Sequence, residues 1–223
     1  AFDDFAGDNS QWVGVVRGSG RAFSAGSDLK AIARNDGVRE PYPENGYAGI
    51  AQRFDLTKPI IAAVDGVAVG GGFEVALACD IIIATKQSKF GLPEPLVGAV
   101  ALGGGVHRLA RQIGLKQAMF LVLTGQTVDA ETAFSYGIVS QIVENDGLNE
   151  AIERCCSNIL KCAPLSVRAS KEAMSLGLNE LSLRDALVNQ ESYPTFRKMQ
   201  ESDDRKEGPK SFTEKRAPKW SAR

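Results

Sequence analysis

Residues 65–80 read DGVAVGGGFEVALACD, three consecutive glycines followed by a helix-length apolar run that holds a single acid, Glu74. Glycine lets other groups approach the backbone closely, so Gly70, Gly71 and Gly72 at a strand-to-helix turn leave the first N–H groups of the helix open to a ligand atom. Phosphate cradles are built on such turns. The spacing here is not theirs, because there is no G-x-G-x-x-G and no Lys-Ser or Lys-Thr follows the glycines as in a P-loop. What remains for exposed N–H groups at this point is the stabilisation of a developing oxyanion. Phe73, Val75, Ala76, Leu77, Ala78 and Cys79 give the helix no polar face, which predicts burial. An acid in the first turn of an exposed helix merely complements the helix dipole. In a buried helix its carboxyl is desolvated and its pKa pushed upward, and a functional role is expected.

Outward from this stretch, residues 13–16, 60–64 and 80–84 are short β-branched runs, the pattern of buried strands. Helix-length segments at 29–34 and 73–79 lie between them, so the N-terminal half alternates strand and helix and reads as α/β. Residues 36–47, DGVREPYPENGY, concentrate Gly, Pro and Asn without periodicity and predict a surface loop, either an ordinary variable one or a mobile one near a site. From Val106 onward helices take over, at 116–123, 130–136 and 148–162, where Leu148, Ile152, Cys155, Ile159 and Cys162 recur at helical spacing. Residues 138–143 are the one strand expected there. The closing ESDDRKEGPKSFTEKRAPKWSAR is highly charged yet carries Phe212 and Trp220, which predicts docking against a surface such as a neighbouring subunit; a frayed tail is the alternative.

A chain of 223 residues with 43% hydrophobic content is ample for one sizeable domain with a continuous core. Its 26 Lys and Arg against 27 Asp and Glu leave no global basic excess for a nucleic acid or an anionic membrane. The longest apolar runs, around PIIAAV and DIIIA, fall far short of a membrane span. Cys79, Cys155, Cys156 and Cys162 form no C-x-x-C pair and meet no histidine cluster, which argues against zinc and against a disulfide framework. A reducing compartment is expected, cytoplasmic or an organelle matrix, and not secretion. The last three residues lack the leucine of an S-K-L peroxisomal address. The opening AFDDFAGDNSQW reads as the tail of an amphipathic helix, which predicts chain before residue 1.

A second carboxylate, Glu94, lies in KFGLPEPLVG between Pro93 and Pro95, which stiffen the backbone around it. By itself it would be a loop glutamate. In GRAFSAGSDLK the small residues Ser24, Ala25, Gly26 and Ser27 enter a helix and offer exposed N–H groups. Ser24 is not in G-x-S-x-G, and a Ser-His-Asp hydrolase would depend on the single histidine, His107, for which a surface or capping role is expected.

Taken together, GRAFSAGSDLK, KPIIAAVDGVAVGGGFEVALACD, FGLPEPLVGAV, LTGQTVDAETAFSYGIVSQIV and EGPKSFTEKR closely resemble the crotonase (enoyl-CoA hydratase/isomerase) superfamily over nearly the whole chain. GGGFE, LPE and the EGP…EKR ending resemble its carnitinyl-CoA dehydratase-like branch. The resemblance implies an α/β fold, a spiral of ββα turns over residues 1–145, and a C-terminal helical trimerisation region over residues 146–223. It implies acyl-CoA thioesters as substrates, hydration of an enoyl-CoA as the reaction, and no cofactor or metal, since coenzyme A is part of the substrate. By motif match the N–H groups of Ser27 and Gly71 would form the oxyanion hole, and Glu74 and Glu94 would be the catalytic carboxylates. Ala25, Ser27, Asp28, Leu29 and Lys30 would line the coenzyme A site, joined by Phe212 and Lys215. A homotrimer or dimer of trimers is implied, with no nucleic-acid or membrane partner.

Isomerases of the superfamily usually lack a carboxylate at the Glu74 position, so the pair favours hydration over double-bond isomerisation. A non-catalytic RNA-binding relative would call for a lysine-rich helix after D-L-K, where AIARNDGVRE offers only arginines. Where many relatives read I-P-G-x-G-G-T this chain reads VALGGGV, with Ala101 and Leu102 at the usual Pro and Gly, which predicts a reshaped acyl pocket. The superfamily's opening strands, which supply part of the coenzyme A pocket, are also absent. Recognition of a trimethylammonium group, as in crotonobetainyl-CoA, would need an aromatic cage, for which Tyr42, Tyr47 and Phe54 are the nearest candidates. A plain short- or medium-chain enoyl thioester is therefore expected.

Overall fold

The computed structural model describes residues 1–38 and 41–223. Along the first half run α1 (Phe2–Gly7), β1 (Gly14–Arg17), α2 (Leu29–Arg34), β2 (Ile60–Val64), β3 (Val67–Val69), α3 (Gly71–Ala78), β4 (Ile81–Thr85) and β5 (Lys89–Gly91). Then come α4 (Gly105–Gln112), α5 (Leu115–Thr124), β6 (Thr127–Asp129), α6 (Ala130–Ser135), β7 (Gln141–Val143) and α7 (Leu148–Leu160). The chain finishes with α8 (Pro164–Gly177), α9 (Leu183–Asn189), α10 (Pro194–Glu201) and α11 (Asp203–Thr213).

Two sheets share the work. The first has the order β1-β2-β4-β7 with every pair parallel; the second has the order β3-β5-β6, with β3 and β5 parallel and β6 antiparallel. Each turn of the spiral therefore sends one strand into the first sheet, a short strand into the second, and then a helix: β2, β3, α3, followed by β4, β5 and α4. Ser24 joins the second sheet through a bridge to Ala68, so the turn before β2 follows the same path. The corners between sheets are buried and polar, and their groups are paired: Thr85 Oγ1 donates to Asp65 Oδ1 at 2.9 Å and Ser88 Oγ to the Val64 carbonyl at 3.0 Å. Buried hydroxyls without such partners would each cost about 1–3 kcal/mol.

Parallel strands covered on both faces read as continuous apolar runs, and β2 is buried at every position. Ile60, Ala62 and Val64 point into the main core with Phe73, Leu77 and Phe90, while Ile61 and Ala63 meet Ile83, Leu148 and Ala151 beneath α7. Phe73 and Phe90 contact at 5.6 Å between ring centroids.

Expectation and structure differ at several places. Thr127–Asp129 is a second strand in the region expected to hold only one, and α7 ends at Leu160. Within 138–143 only Gln141–Val143 is strand, because Ile138 and Val139 fold back on the end of α6 through bonds to the Ala133 carbonyl. The closing segment docks, as expected, but on its own chain. Asp204 accepts the N–H groups of Ser221 and Ala222 at 2.7 and 3.0 Å, Glu207 accepts both ends of the Arg216 guanidinium, and Trp220 Nε1 donates to the Lys161 carbonyl at 2.8 Å. The physical reason is local. The two acids sit one helical turn apart on α11 and face the returning chain.

Candidate active site

The glycine turn is built as its sequence suggests. Gly70 has φ 54°, a conformation costly for residues with a Cβ, and lets the chain leave β3 and enter α3 at once. Gly72 abuts the Ser24 carbonyl and Gly26, at φ 87°, abuts the Gly71 N–H: a methyl on Gly26 would lie 2.7 Å from that nitrogen. The Ser24–Ser27 segment is thereby seated against the N-terminus of α3. The backbone N–H groups of Ser27 and Gly71 donate to no acceptor among the described residues, as befits a loop residue and the first residue of a helix.

Glu74 is buried, 2% exposed, in the first turn of α3. Its Oε1 accepts the Gly105 N–H at 2.8 Å. A methyl on Gly103 would lie 2.5 Å from Oε2, and one on Gly105 2.9 Å from Oε1. VALGGGV is therefore read through its glycines: they leave the volume that the carboxylate fills. Arg108 of α4 supplies positive charge on this side; burial lowers its pKa while Glu74 and Cys79 raise it, and its Nη2 donates to the Ala51 carbonyl at 2.6 Å. A guanidinium stays protonated under such shifts.

Glu94 opens a 3-10 turn, Glu94–Val97, behind Pro93, and its Oε1 would lie 3.3 Å from a methyl on Gly70. Both carboxylates thus lie near the start of α3, Glu94 beside Gly70 and Glu74 in the first turn of α3 with Gly103 and Gly105 against it.

Of the other expected residues, Ala25 is exposed beside the turn. Asp28 caps α2 by accepting the N–H groups of Lys30 and Ala31, and Leu29 and Lys30 stand exposed on that helix. Phe212 is 85% exposed and Lys215 follows the end of α11, a helix that packs against α10; the close approaches around Glu74, Glu94 and Gly71 involve neither. His107 is exposed on α4. Residues 39 and 40 of the expected 36–47 loop lie outside the described residues. All four cysteines are free. No helix of the described residues is long and apolar enough to cross a membrane.

Tyr47, expected only as a candidate wall of an ammonium cage, lies against the glycine turn itself. A methyl on Gly71 would collide with Cζ and Oη of Tyr47, and one on Gly103 would lie 2.9 Å from its Cβ. Its hydroxyl is 3.4 Å from Ser27 Oγ, and its ring meets Tyr42 edge-on at 5.4 Å. An aromatic in a Pro- and Asn-rich loop carries no periodic signal, so only the fold could assign it.

A spiral of ββα turns that seats a buried carboxylate against a glycine-rich strand-to-helix turn defines the crotonase class of enzymes. The enoyl-CoA hydratase/isomerase family model matches residues 1–223, and the chain belongs to that family. It is 37% identical to the carnitinyl-CoA dehydratases of Salmonella typhi and of Proteus mirabilis (strain HI4320), with all of this chain aligned to 86% of each relative. Among solved structures it superposes on enoyl-CoA hydratases from Mycobacterium marinum (TM-score 0.90, 37% identity) and Mycobacterium tuberculosis H37Rv (TM-score 0.91, 36% identity). In both cases all of this chain aligns to 85% of the other.

Proposed function

We propose that the protein adds water across the α,β double bond of an enoyl-CoA thioester, with Glu74 and Glu94 as the acid–base pair and the N–H groups of Ser27 and Gly71 as the oxyanion hole. The observation that carries this reading is Glu74: a carboxylate 2% exposed, positioned by the Gly105 N–H at 2.8 Å, on the same glycine turn that Glu94 approaches. Two N–H donors polarise the thioester carbonyl and leave the β-carbon electrophilic. Water held by Glu74 attacks that carbon and gives up a proton to the carboxylate. The π electrons move onto the thioester as an enolate, which collapses as Glu94 delivers a proton to the α-carbon. One proton enters the carboxyl pair and one leaves it, so the sum is addition of H2O with no cofactor consumed. Glu74→Gln and Glu94→Gln each lose about 10²–10⁴-fold in crotonyl-CoA hydration; parental rates in both variants would refute the assignment.

A plain short- or medium-chain enoyl thioester is the substrate class proposed. Crotonobetainyl-CoA is the second reading, favoured by the carnitinyl-CoA dehydratase relatives and by the Tyr42–Tyr47 pair at the site. The third aromatic, Phe54, is 85% exposed, whereas a cage packs its rings around the cation. Comparison of kcat/KM for crotonyl-, octenoyl- and crotonobetainyl-CoA decides between them.

Residues 146–223 act in this reading as a trimerisation region. Leu178, Leu181, Leu183 and Val188 are 81, 100, 76 and 72% exposed on and between α8 and α9, an apolar surface of the kind that a second copy covers. Light scattering is expected to give a trimer or a dimer of trimers at micromolar concentration, and a monomer would defeat the proposal. The free cysteines fit a reducing compartment, cytoplasmic or an organelle matrix.

A further inference from the structure

We infer that the Tyr47 hydroxyl is a third hydrogen-bond donor to the thioester oxygen, completing the hole framed by the N–H groups of Ser27 and Gly71; the inference rests on the assignment of those two groups above. Three contacts converge on this side chain. Its phenol end lies against the Cα of Gly71 where a Cβ would otherwise stand, its oxygen is 3.4 Å from Ser27 Oγ, and its Cβ lies against Gly103, the glycine that borders Glu74. An oxygen atom accepting from both Ser27 and Gly71 would therefore sit beside the phenol. A phenol donates one proton and is neutral at neutral pH, which suits a donor to an enolate oxygen better than a lysine whose charge would be costly to desolvate.

The backbone around Tyr47 is held in place at some conformational cost. Gly46 before it has φ 74° and Ala48 after it has φ 53°, a left-handed conformation that alanine rarely adopts. Strain of this kind, of order 1–3 kcal/mol, persists where surrounding contacts over-determine it and collects at functional sites. Here the contacts are the Gly46 N–H on the Pro43 carbonyl at 2.8 Å, the Gln52 N–H on the Asn45 carbonyl at 3.0 Å, and Arg108 on the Ala51 carbonyl at 2.6 Å. Arg108 therefore ties the Tyr47 turn to α4, the helix whose N-terminus meets Glu74. Packing alone would be served equally well by phenylalanine.

Tyr47→Phe keeps the ring and removes only the donor. Its kcat for crotonyl-CoA hydration is expected to fall about 10²-fold, the usual loss for one oxyanion donor, with KM changed much less. A second readout is independent of turnover: the absorption band of an aryl-enoyl-CoA such as cinnamoyl-CoA shifts to the red when its carbonyl is polarised, and the bound shift is expected to shrink in Tyr47→Phe. Parental kcat together with a parental shift would overturn the inference. Glu74→Gln, assayed alongside, separates the two levels. If it is inactive while Tyr47→Phe keeps rate and spectrum, the Tyr47 role alone fails. If Glu74→Gln and Glu94→Gln both keep the parental rate, the site assignment falls and this inference falls with it.

Discussion

Glu74 Oε1 accepts the N–H of Gly105, the first residue of α4, so a side chain from the first turn of α3 caps the N-terminus of another helix. The residue at the cap position, Gly104, has no side chain to do this. An acid at a helix start complements the dipole, and Glu74 stands at two helix starts at once. Both helix starts are buried around it, and Glu74 is itself 2% exposed.

Removal of the carboxyl is therefore expected to carry a structural cost besides the catalytic one proposed above. Glu74→Gln retains an oxygen for the Gly105 N–H and is expected to keep near-parental stability while losing activity. Glu74→Ala strands that N–H and opens a cavity, and urea titration is expected to show a loss of about 1–3 kcal/mol. Equal stability of the two variants would remove the capping role.

Gly103→Ala tests the cradle. The new methyl meets Glu74 Oε2 at 2.5 Å and Tyr47 Cβ at 2.9 Å, so one of them must move. A displacement near 1 Å at a catalytic group costs about 10²-fold in rate, while overpacking costs about 1–3 kcal/mol. Steady-state kinetics and thermal melting are expected to show both effects; a fully active Gly103→Ala enzyme would mean that Glu74 tolerates displacement.

The tail clamp has a pH signature. The Arg216 guanidinium and then the Lys219 N–H hold the Glu207 carboxyl down to about 2, against an ordinary value of 4.5. A depressed carboxylate stabilises the folded arrangement above its unfolded pKa, and that contribution is lost as pH falls toward the folded one. The tail is thus expected to loosen between about pH 4.5 and 2, followed through Trp220 fluorescence. Glu207→Gln should leave the tail loose at neutral pH and remove this transition from the Trp220 signal. Persistence of the same transition in the variant would assign it to another group.

Lys171 of α8 donates to Asp80 Oδ2 at 2.8 Å and to the Lys58 carbonyl at 3.0 Å, and Asp80 Oδ2 also accepts the N–H of Ile60 at 2.7 Å. One charged pair thus links the C-terminal helices to the edge of β2. Charge-assisted bonds contribute about 1.5–3 kcal/mol when partly buried, so Lys171→Met is expected to lower stability by an amount in that range, read by denaturant titration. Hydrogen exchange should speed up first in α8. A variant with unchanged exchange there would show that apolar packing alone docks the helix.

Much of the frame was written locally. Residues 60–64 and 29–34 are strand and helix as their patterns predict, because a β-branched run buried on both faces and an Asp-capped helix carry their signals within a few residues. Glu74 stood out for a similar reason, as an acid in a helix without a polar face, whereas Glu94 by itself would be a loop glutamate and became a candidate only through the family resemblance. The three-residue strands β3, β5 and β6 were not, since so short a segment has no period and becomes strand only when a neighbour pairs with it. α11 runs through Gly208 and Pro209, with the Trp220 ring against Gly208 and the tail clamped to Asp204 and Glu207. Sequence alone determined which residues can bear charge, turn sharply or be buried, because those are properties of side chains and neighbouring dihedrals. The tertiary structure alone decided that Gly103 and Gly105 border Glu74 and that Tyr47 lies against Gly71 and Gly103, because contacts between residues distant in the chain depend on how the spiral closes.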